Sequence, residues 1–364
     1  MAPTMSFRWY GEKDDPIPLR HIRQIPAVEN VVGALFDIPV GEVWPSASIE
    51  ALKAQVNAAG LNLEVIESVN VHDDIKIGLP SRDRLIDNYR TTIRNLAGVG
   101  VKVICYNFMP VFDWLRTTLN YKLPAGSYVL QYDDAVATSQ TPEELSRTVA
   151  ANSGGFTLPG WEEDRLADLH ELFAMYAGID ADGLRANLRY FLEGVVPVCE
   201  EVGIRMALHP DDPPKSLFGL PRIVKNLDDL KWITEQVDSP ANALTVCTGS
   251  LGEDPANDVP AIMRYFSERD RVPFVHLRNI RWTGNGSFHE SAHLSRSGSL
   301  DMYEIVRALV ETGFDGYARP DHGRMIWDEV GRPGYGLYDR ALGIAYLNGL
   351  FEAIEKGAQR SAQP

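Results

Sequence analysis

Apolar residues in this chain gather into short runs, and between the runs they recur at the three-to-four-residue spacing of an amphipathic helix. Eight runs have strand length and end in a polar or glycine-containing turn: Phe7–Tyr10, Val31–Phe36, Leu63–Ser68, Val101–Asn107, Ile204–His209, Ala243–Cys247, Pro273–Leu277 and Gly316–Pro320. Ser48 opens a helical stripe with Leu52 and Val56, and Leu85, Tyr89, Ile93 and Leu96 form another. Leu184, Leu188, Phe191, Leu192 and Val195 mark a long helix whose end Pro197 is expected to kink. Met302, Ile305, Val306 and Leu309 mark the last, with Gly313 suited to its C-cap. Strand and helix in alternation predict a parallel sheet with helices outside. Eight strands favour closure into a (β/α)8 TIM barrel, and no glycine-rich dinucleotide fingerprint follows an early strand.

Residues 110–180 break the rhythm. Turn-rich pieces, Leu123-Pro124-Ala125-Gly126 and Ser153-Gly154-Gly155, precede helical material at Leu166–Tyr176. This stretch reads as an insertion after the fourth strand, where it would sit over the barrel mouth as a lid. Residues 1–364 otherwise form one catalytic domain, and the tail from Gly357 to Pro364 is expected to fray.

Composition narrows the function. A formal net charge of -15 makes the surface repel polyanions, which argues against nucleic acid as a partner. An anionic small molecule would need a local cationic site. Cys105, Cys199 and Cys247 are odd in number and far apart, which fits free thiols in a reducing, cytoplasmic compartment. Neither a signal-peptide pattern nor an apolar run long enough to span a bilayer is present, so no membrane partner is expected.

The last four predicted strands each end in a potential metal ligand: His209, Cys247, His276 and Asp321. In a barrel these C-terminal ends converge on one mouth, so residues distant in sequence reach one ion. Singly, each has a bland alternative as a capping or core residue; jointly, four donors on four consecutive strands point to a metal site. One thiolate, two imidazoles and one carboxylate suit Zn²⁺, Fe²⁺, Co²⁺ or Mn²⁺ better than Mg²⁺ or Ca²⁺. Cys105 and Cys199 read as core thiols. His289, Glu290 and His293 read as a polar loop, and Asp211-Asp212-Pro213-Pro214 as a turn.

Arg8-Trp9-Tyr10-Gly11, Gly41-Glu42-Val43-Trp44, Cys105-Tyr106-Asn107-Phe108-Met109-Pro110, His209-Pro210-Asp211-Asp212-Pro213-Pro214, Cys247-Thr248-Gly249-Ser250, Phe288-His289-Glu290 and Arg319-Pro320-Asp321-His322-Gly323 follow one another in order along the chain. Together they resemble the D-mannonate dehydratase family, nearly end to end. The resemblance implies a barrel of the xylose-isomerase type that uses Mn²⁺ or Fe²⁺ to convert D-mannonate to 2-keto-3-deoxy-D-gluconate in hexuronate (glucuronate) catabolism. It also implies a homo-oligomer, His209, Cys247, His276 and Asp321 as ligands, and His322 and Tyr335 as the acid/base pair, with Tyr338 a rival for the tyrosine.

Dehydration moves two protons: a base takes the C2 proton and an acid protonates the leaving C3 hydroxyl. The order expected here has Tyr335 at C2 and His322 at the C3 hydroxyl, with the reverse left open. Trp9, His72, Asn107 and Arg278 are candidate substrate contacts on position, and Lys215 a weaker one. The main rival function is a divalent-metal sugar isomerase or epimerase on the same barrel, whose sites usually carry more carboxylates. A non-catalytic sugar-acid binding protein would have little need of the full ligand and acid/base set.

Overall fold

The computed structural model describes residues 3–155 and 169–361. Twelve strands follow one another among them: β1 (Thr4–Arg8), β2 (Val28–Gly33), β3 (Asn62–Glu67), β4 (Val103–Tyr106), β5 (Thr118–Lys122), β6 (Tyr128–Tyr132), β7 (Arg205–Leu208), β8 (Asn242–Cys247), β9 (Phe274–His276), β10 (Ile280–Gly284), β11 (Ser287–Glu290) and β12 (Tyr317–Arg319). Eight of them close a parallel barrel in the order β1-β12-β9-β8-β7-β4-β3-β2. These are the eight strands expected from the apolar runs; β1 begins at Thr4, ahead of the Phe7 that opens its run.

The runs are continuously apolar because barrel strands are buried on both faces. Val32, Val65, Val103, Cys105, Ala207, Phe274 and Tyr317 fill the interior as one cluster, while the larger core lies between the strands and the surrounding helices. The helix stripes become Ser46–Ala58, Arg82–Gly98, Ala181–Val202 and Met302–Glu311. Pro197 lies inside its helix, which runs on to Val202 and stops at Gly203 in the left-handed region. Gly313 follows the last of them with φ of 71°, where a side chain would be strained.

The insertion begins with the antiparallel pair β5 and β6 and continues into helices Asp134–Ser139, Pro142–Ala151 and Leu169–Met175. The expected helical stretch from Leu166 to Asp168 lies outside the described residues. β6 pairs with β11, giving a second sheet in the order β10-β11-β6-β5. This corrects the expectation of a polar loop at His289 and Glu290: both belong to β11, and His293, just beyond, is buried. Helix Leu337–Ser361 continues through Gly357, the expected start of fraying, and residues 362–364 of that tail lie outside the described residues. No described helix is long and apolar enough to cross a membrane.

Candidate metal centre and active site

Four barrel strands deliver four donors to one point. Cys247 and His276 are the last residues of β8 and β9, His209 follows β7, and Asp321 lies two residues past β12. One ligand atom from each lies within 4.8 Å of all the others. His209 Nδ1 is 2.7 Å from the Pro210 carbonyl, an acceptor only, so its hydrogen sits there and Nε2 carries a lone pair. That lone pair faces His276 Nδ1 at 3.1 Å. Opposite them, Cys247 Sγ lies 3.6 Å from Asp321 Oδ2. The backbone N–H of Ser250 donates to Cys247 Sγ at 3.5 Å, and the Ser250 hydroxyl oxygen lies 3.1 Å from the same sulfur. Two imidazoles, a cysteine sulfur and a carboxylate converge here, three of the four side chains buried, a donor set that fits a divalent ion.

Beside this cluster His322 and Tyr335 form a joined pair, with His322 Nε2 2.8 Å from the Tyr335 hydroxyl. Burial pushes the Tyr335 hydroxyl well above the usual tyrosine range, with Tyr10 and the charge of Asp321 adding to it. The ring of Tyr10 meets that of Tyr335 edge-on at 5.1 Å. His322 Nδ1 has two neighbours, the Glu290 carboxylate at 3.1 Å and an Arg278 guanidinium nitrogen at 2.8 Å. These two partners suit opposite tautomers of the ring.

Arg278 and Glu290 belong to a buried ionic lattice that also holds Arg116, Asp212 and Glu253. Arg116, from the start of the insertion, donates to Asp212, to Glu253 at 3.0 Å and to Glu290 at 3.0 Å. Arg278 donates to Asp212 at 3.0 Å, Glu253 at 2.9 Å and Glu290 at 3.1 Å. Burial opposes ionisation of Asp212, yet Arg116 and then Arg278 overrule it and hold its carboxyl well below the usual range. Glu253 goes the other way: burial, then the charge of Asp212, push it well above that range. The lattice ties insertion, second sheet and barrel together at the mouth.

Two cavities meet at this mouth. The inner one, about 80 Å³, is lined by Asn107, Trp114, His209, Asp321, His322 and Tyr335 among others. The outer one, about 560 Å³, shares Arg8, Tyr10 and Ser68 with it and extends past Phe36, His72 and Arg332.

A family model described as D-mannonate dehydratase matches residues 3–361. The mannonate dehydratase of Lactococcus lactis subsp. cremoris is 58% identical over 357 residues, covering 98% of this chain and 99% of its own. The chain belongs to the D-mannonate dehydratase family. The crystal structure of mannonate dehydratase from Streptococcus suis serotype 2 superposes with a TM-score of 0.87 at 44% identity, covering 98% of this chain and 96% of that one. An L-ribulose 3-epimerase structure aligns over 100% of this chain and 99% of its own with a TM-score of 0.52 at 13% identity, a likeness of fold alone. Whole-length dehydratase family membership therefore sets aside the isomerase or epimerase alternative.

Within this dehydratase-family barrel the expected residues separate. His209, Cys247, His276, Asp321, His322 and Tyr335 come together, and Asn107 lines the inner cavity. Tyr338 is half-exposed against Trp327, which leaves Tyr335 as the tyrosine in place. Trp9 is core: it is buried, its indole N–H donates to the Ile17 carbonyl, and it lines neither cavity. His72 caps the short helix Asp73–Lys76 and faces only the outer cavity. Arg278 is fully buried in the lattice, behind His322. Lys215 pairs with Asp134 of the insertion. The expected core thiols are buried, and desolvation pushes Cys199 up to about 12.

Sequence reasoning missed Arg8, Tyr10, Glu67, Arg116, Asp212, Glu253 and Glu290. Arg8 and Tyr10 stood inside a motif quoted for the family resemblance, as did Asp212 and Glu290, and only the choice of Trp9 over its neighbours hid the first two. Glu67 closes a predicted strand, the position from which barrel enzymes draw site residues.

Proposed function

We propose that this chain dehydrates D-mannonate to 2-keto-3-deoxy-D-gluconate with His209, Cys247, His276 and Asp321 holding a divalent ion and His322 and Tyr335 moving the two protons. The observation that carries the reading is the 2.8 Å contact between His322 Nε2 and the Tyr335 hydroxyl at the edge of the four-donor cluster. When bound, the ion supplies Lewis-acid stabilisation of the charge that builds on the substrate carboxylate as the C2 proton leaves. Mn²⁺ or Fe²⁺ is the ion we favour, since open sites with two imidazoles and a carboxylate commonly hold them.

Tyr335, whose hydroxyl burial holds in the neutral form, keeps its proton and directs it at His322 Nε2. Glu290 then accepts from His322 Nδ1–H, and Nε2 carries the lone pair that acts as base once substrate turns the Tyr335 hydroxyl away from it. His322 accordingly takes the C2 proton, and Tyr335 protonates the C3 hydroxyl, which leaves as water. The enol left behind tautomerises to the 2-keto acid. The hydrogen bond between the two residues returns the proton from His322 to Tyr335 and closes the cycle. This is the reverse of the order favoured by the sequence, and burial of Tyr335 is the reason.

The inner cavity is small for a six-carbon acid, so the far end of the substrate extends past Arg8 and Tyr10 into the outer one. Barrel and insertion act as one catalytic unit because Arg116 anchors the insertion in the lattice behind His322. Free thiols at all three cysteines fit action in the cytoplasm, and the family resemblance supports a homo-oligomer.

Metal-stripped protein reloaded anaerobically with Mn²⁺, Fe²⁺, Co²⁺ or Zn²⁺ and given D-mannonate tests the activity, with the 2-keto-3-deoxy acid as readout. Turnover restored by one ion supports it; no turnover with any ion, despite stoichiometric binding, refutes mannonate as substrate. For the order of proton transfers, Tyr335→Phe is expected to keep exchanging the C2 proton with solvent while dehydration stops. Loss of that exchange in Tyr335→Phe, and its survival in His322→Asn, restores the opposite order.

A further inference from the structure

We propose that Glu67 is the positioning residue of the metal centre, its one carboxylate setting the ring of His276 directly and the carboxylate of Asp321 through Arg319. The proposal rests on the reading that the four-donor cluster holds an ion. In the eight-stranded ring β3 stands three places from β12 and four from β9, so Glu67 reaches its partners across the barrel interior rather than along the sheet.

Three contacts carry the argument. Glu67 Oε2 lies 3.4 Å from His276 Nε2, a fully buried nitrogen with no completed hydrogen bond. Arg319 grips the same carboxylate as a fork, with Nη2 to Oε1 at 2.7 Å and Nε to Oε2 at 3.1 Å. The remaining nitrogen of Arg319, Nη1, lies 2.9 Å from Asp321 Oδ1. That leaves Asp321 Oδ2 as the oxygen turned toward Cys247 Sγ at 3.6 Å and His276 Nδ1 at 3.9 Å. With Nε2–H drawn to Glu67, His276 presents its Nδ1 lone pair to the cluster. Histidine ligands generally need such a partner on the far nitrogen to fix tautomer and ring orientation. Without Glu67 the ring loses that constraint and Arg319 loses the anion that aims it at Asp321.

Glu67, Cys105 and His276 also bring ligand atoms within 4.8 Å of one another, so a second ion at Glu67 is the competing use of this carboxylate. The Arg319 fork argues against it, because both carboxylate oxygens already face a cation.

Titration of the metal-stripped full chain with Co²⁺ decides between them, followed by the thiolate-to-cobalt charge-transfer absorption and by competition with a chelator. The expected result is one Co²⁺ per chain, with affinity falling roughly 10- to 100-fold in Glu67→Ala and less in Glu67→Gln, whose amide oxygen still accepts from His276. Cys105→Ser is expected to bind as wild type does. Should Glu67→Ala fail to fold by circular dichroism, the weakened affinity of Glu67→Gln carries the same test. Affinity within twofold of wild type in a folded Glu67→Ala overturns the proposal. So does a stoichiometry of two that drops to one in both Glu67→Ala and Cys105→Ser, which would make Glu67 a ligand. Undiminished Co²⁺ binding in Cys247→Ala signals instead that the four-ligand reading itself is wrong, and the proposal falls with it.

Discussion

Replacing Glu253 by Gln should make the protein progressively more stable than wild type as pH rises. Glu253 accepts from Arg116 at 3.0 Å and Arg278 at 2.9 Å, inside a lattice with two guanidiniums and three carboxyl groups. With every carboxyl ionised the buried set carries one excess negative charge, so one proton is stabilised there. It belongs on Glu253: Asp212 receives both guanidiniums and the Ser250 hydroxyl, Glu290 receives both and faces His322, and Glu253 receives only the two arginines. Burial and the neighbouring carboxylates raise Glu253, whereas the arginines hold Asp212 and Glu290 below their ordinary values against the effect of burial.

The sign follows from linkage. A carboxyl whose folded-state pKa is raised contributes stability that is complete below its unfolded value, about 4.3 for Glu. That contribution is lost as pH rises toward the folded value, at up to ~1.4 kcal/mol per pH unit. Gln keeps the acceptor oxygen for both arginines and cannot titrate. Reversible urea unfolding of metal-stripped protein at pH 5, 6 and 7 should therefore show the variant gaining on wild type at each step. Between pH 5 and pH 7 the gap should widen in the variant's favour by as much as about 3 kcal/mol, the sum of two such steps. Other titrations, including those of the histidines, are common to both proteins and cancel in the difference. Parallel stability curves would refute the reasoning, because they would mean that Glu253 is ionised in the folded protein.

Gly249→Ala should destabilise by about 1–3 kcal/mol, because a Cβ there would sit 1.8 Å from Arg278 Nε and 2.5 Å from its Cζ; unfolding free energy within about 0.5 kcal/mol of wild type would contradict this. Arg116→Met should cost about 3–5 kcal/mol by leaving Asp212, Glu253 and Glu290 one cation short, and limited proteolysis should then cut within the insertion sooner than in wild type. Saturating Mn²⁺ at a hundred times its dissociation constant should stabilise the stripped protein by about 2.7 kcal/mol, seen as a raised unfolding midpoint; Cys247→Ala should show little of that rise, and an equal rise would remove Cys247 from the ligand set.

Much of the fold was legible because barrel strands are apolar on both faces, and four of them end in side chains able to bind a metal. The runs at Ala243–Cys247 and Pro273–Leu277 announced both a buried strand and the donor at its tip, and the structure brings those donors within 4.8 Å of one another. The second sheet was hidden. β5 and β10 are short, largely exposed strands whose residues alternate weakly, and β11 pairs with β6 across more than 150 positions of sequence.

Sequence alone determined the barrel and offered the four donors, with His322 and either Tyr335 or Tyr338 beside them, because each belongs to a local pattern or an ordered set of motifs. Tertiary structure decided what each polar residue faces. Trp9 looks as reactive as Tyr10 on paper, yet one points into the core and the other onto both cavities. Glu290 and Asp212 read as loop and turn until Arg116 and Arg278 arrive from distant segments to bury their charge. Burial and through-space charge set those roles, and both depend on which remote segments pack together, a property that no local window of residues contains.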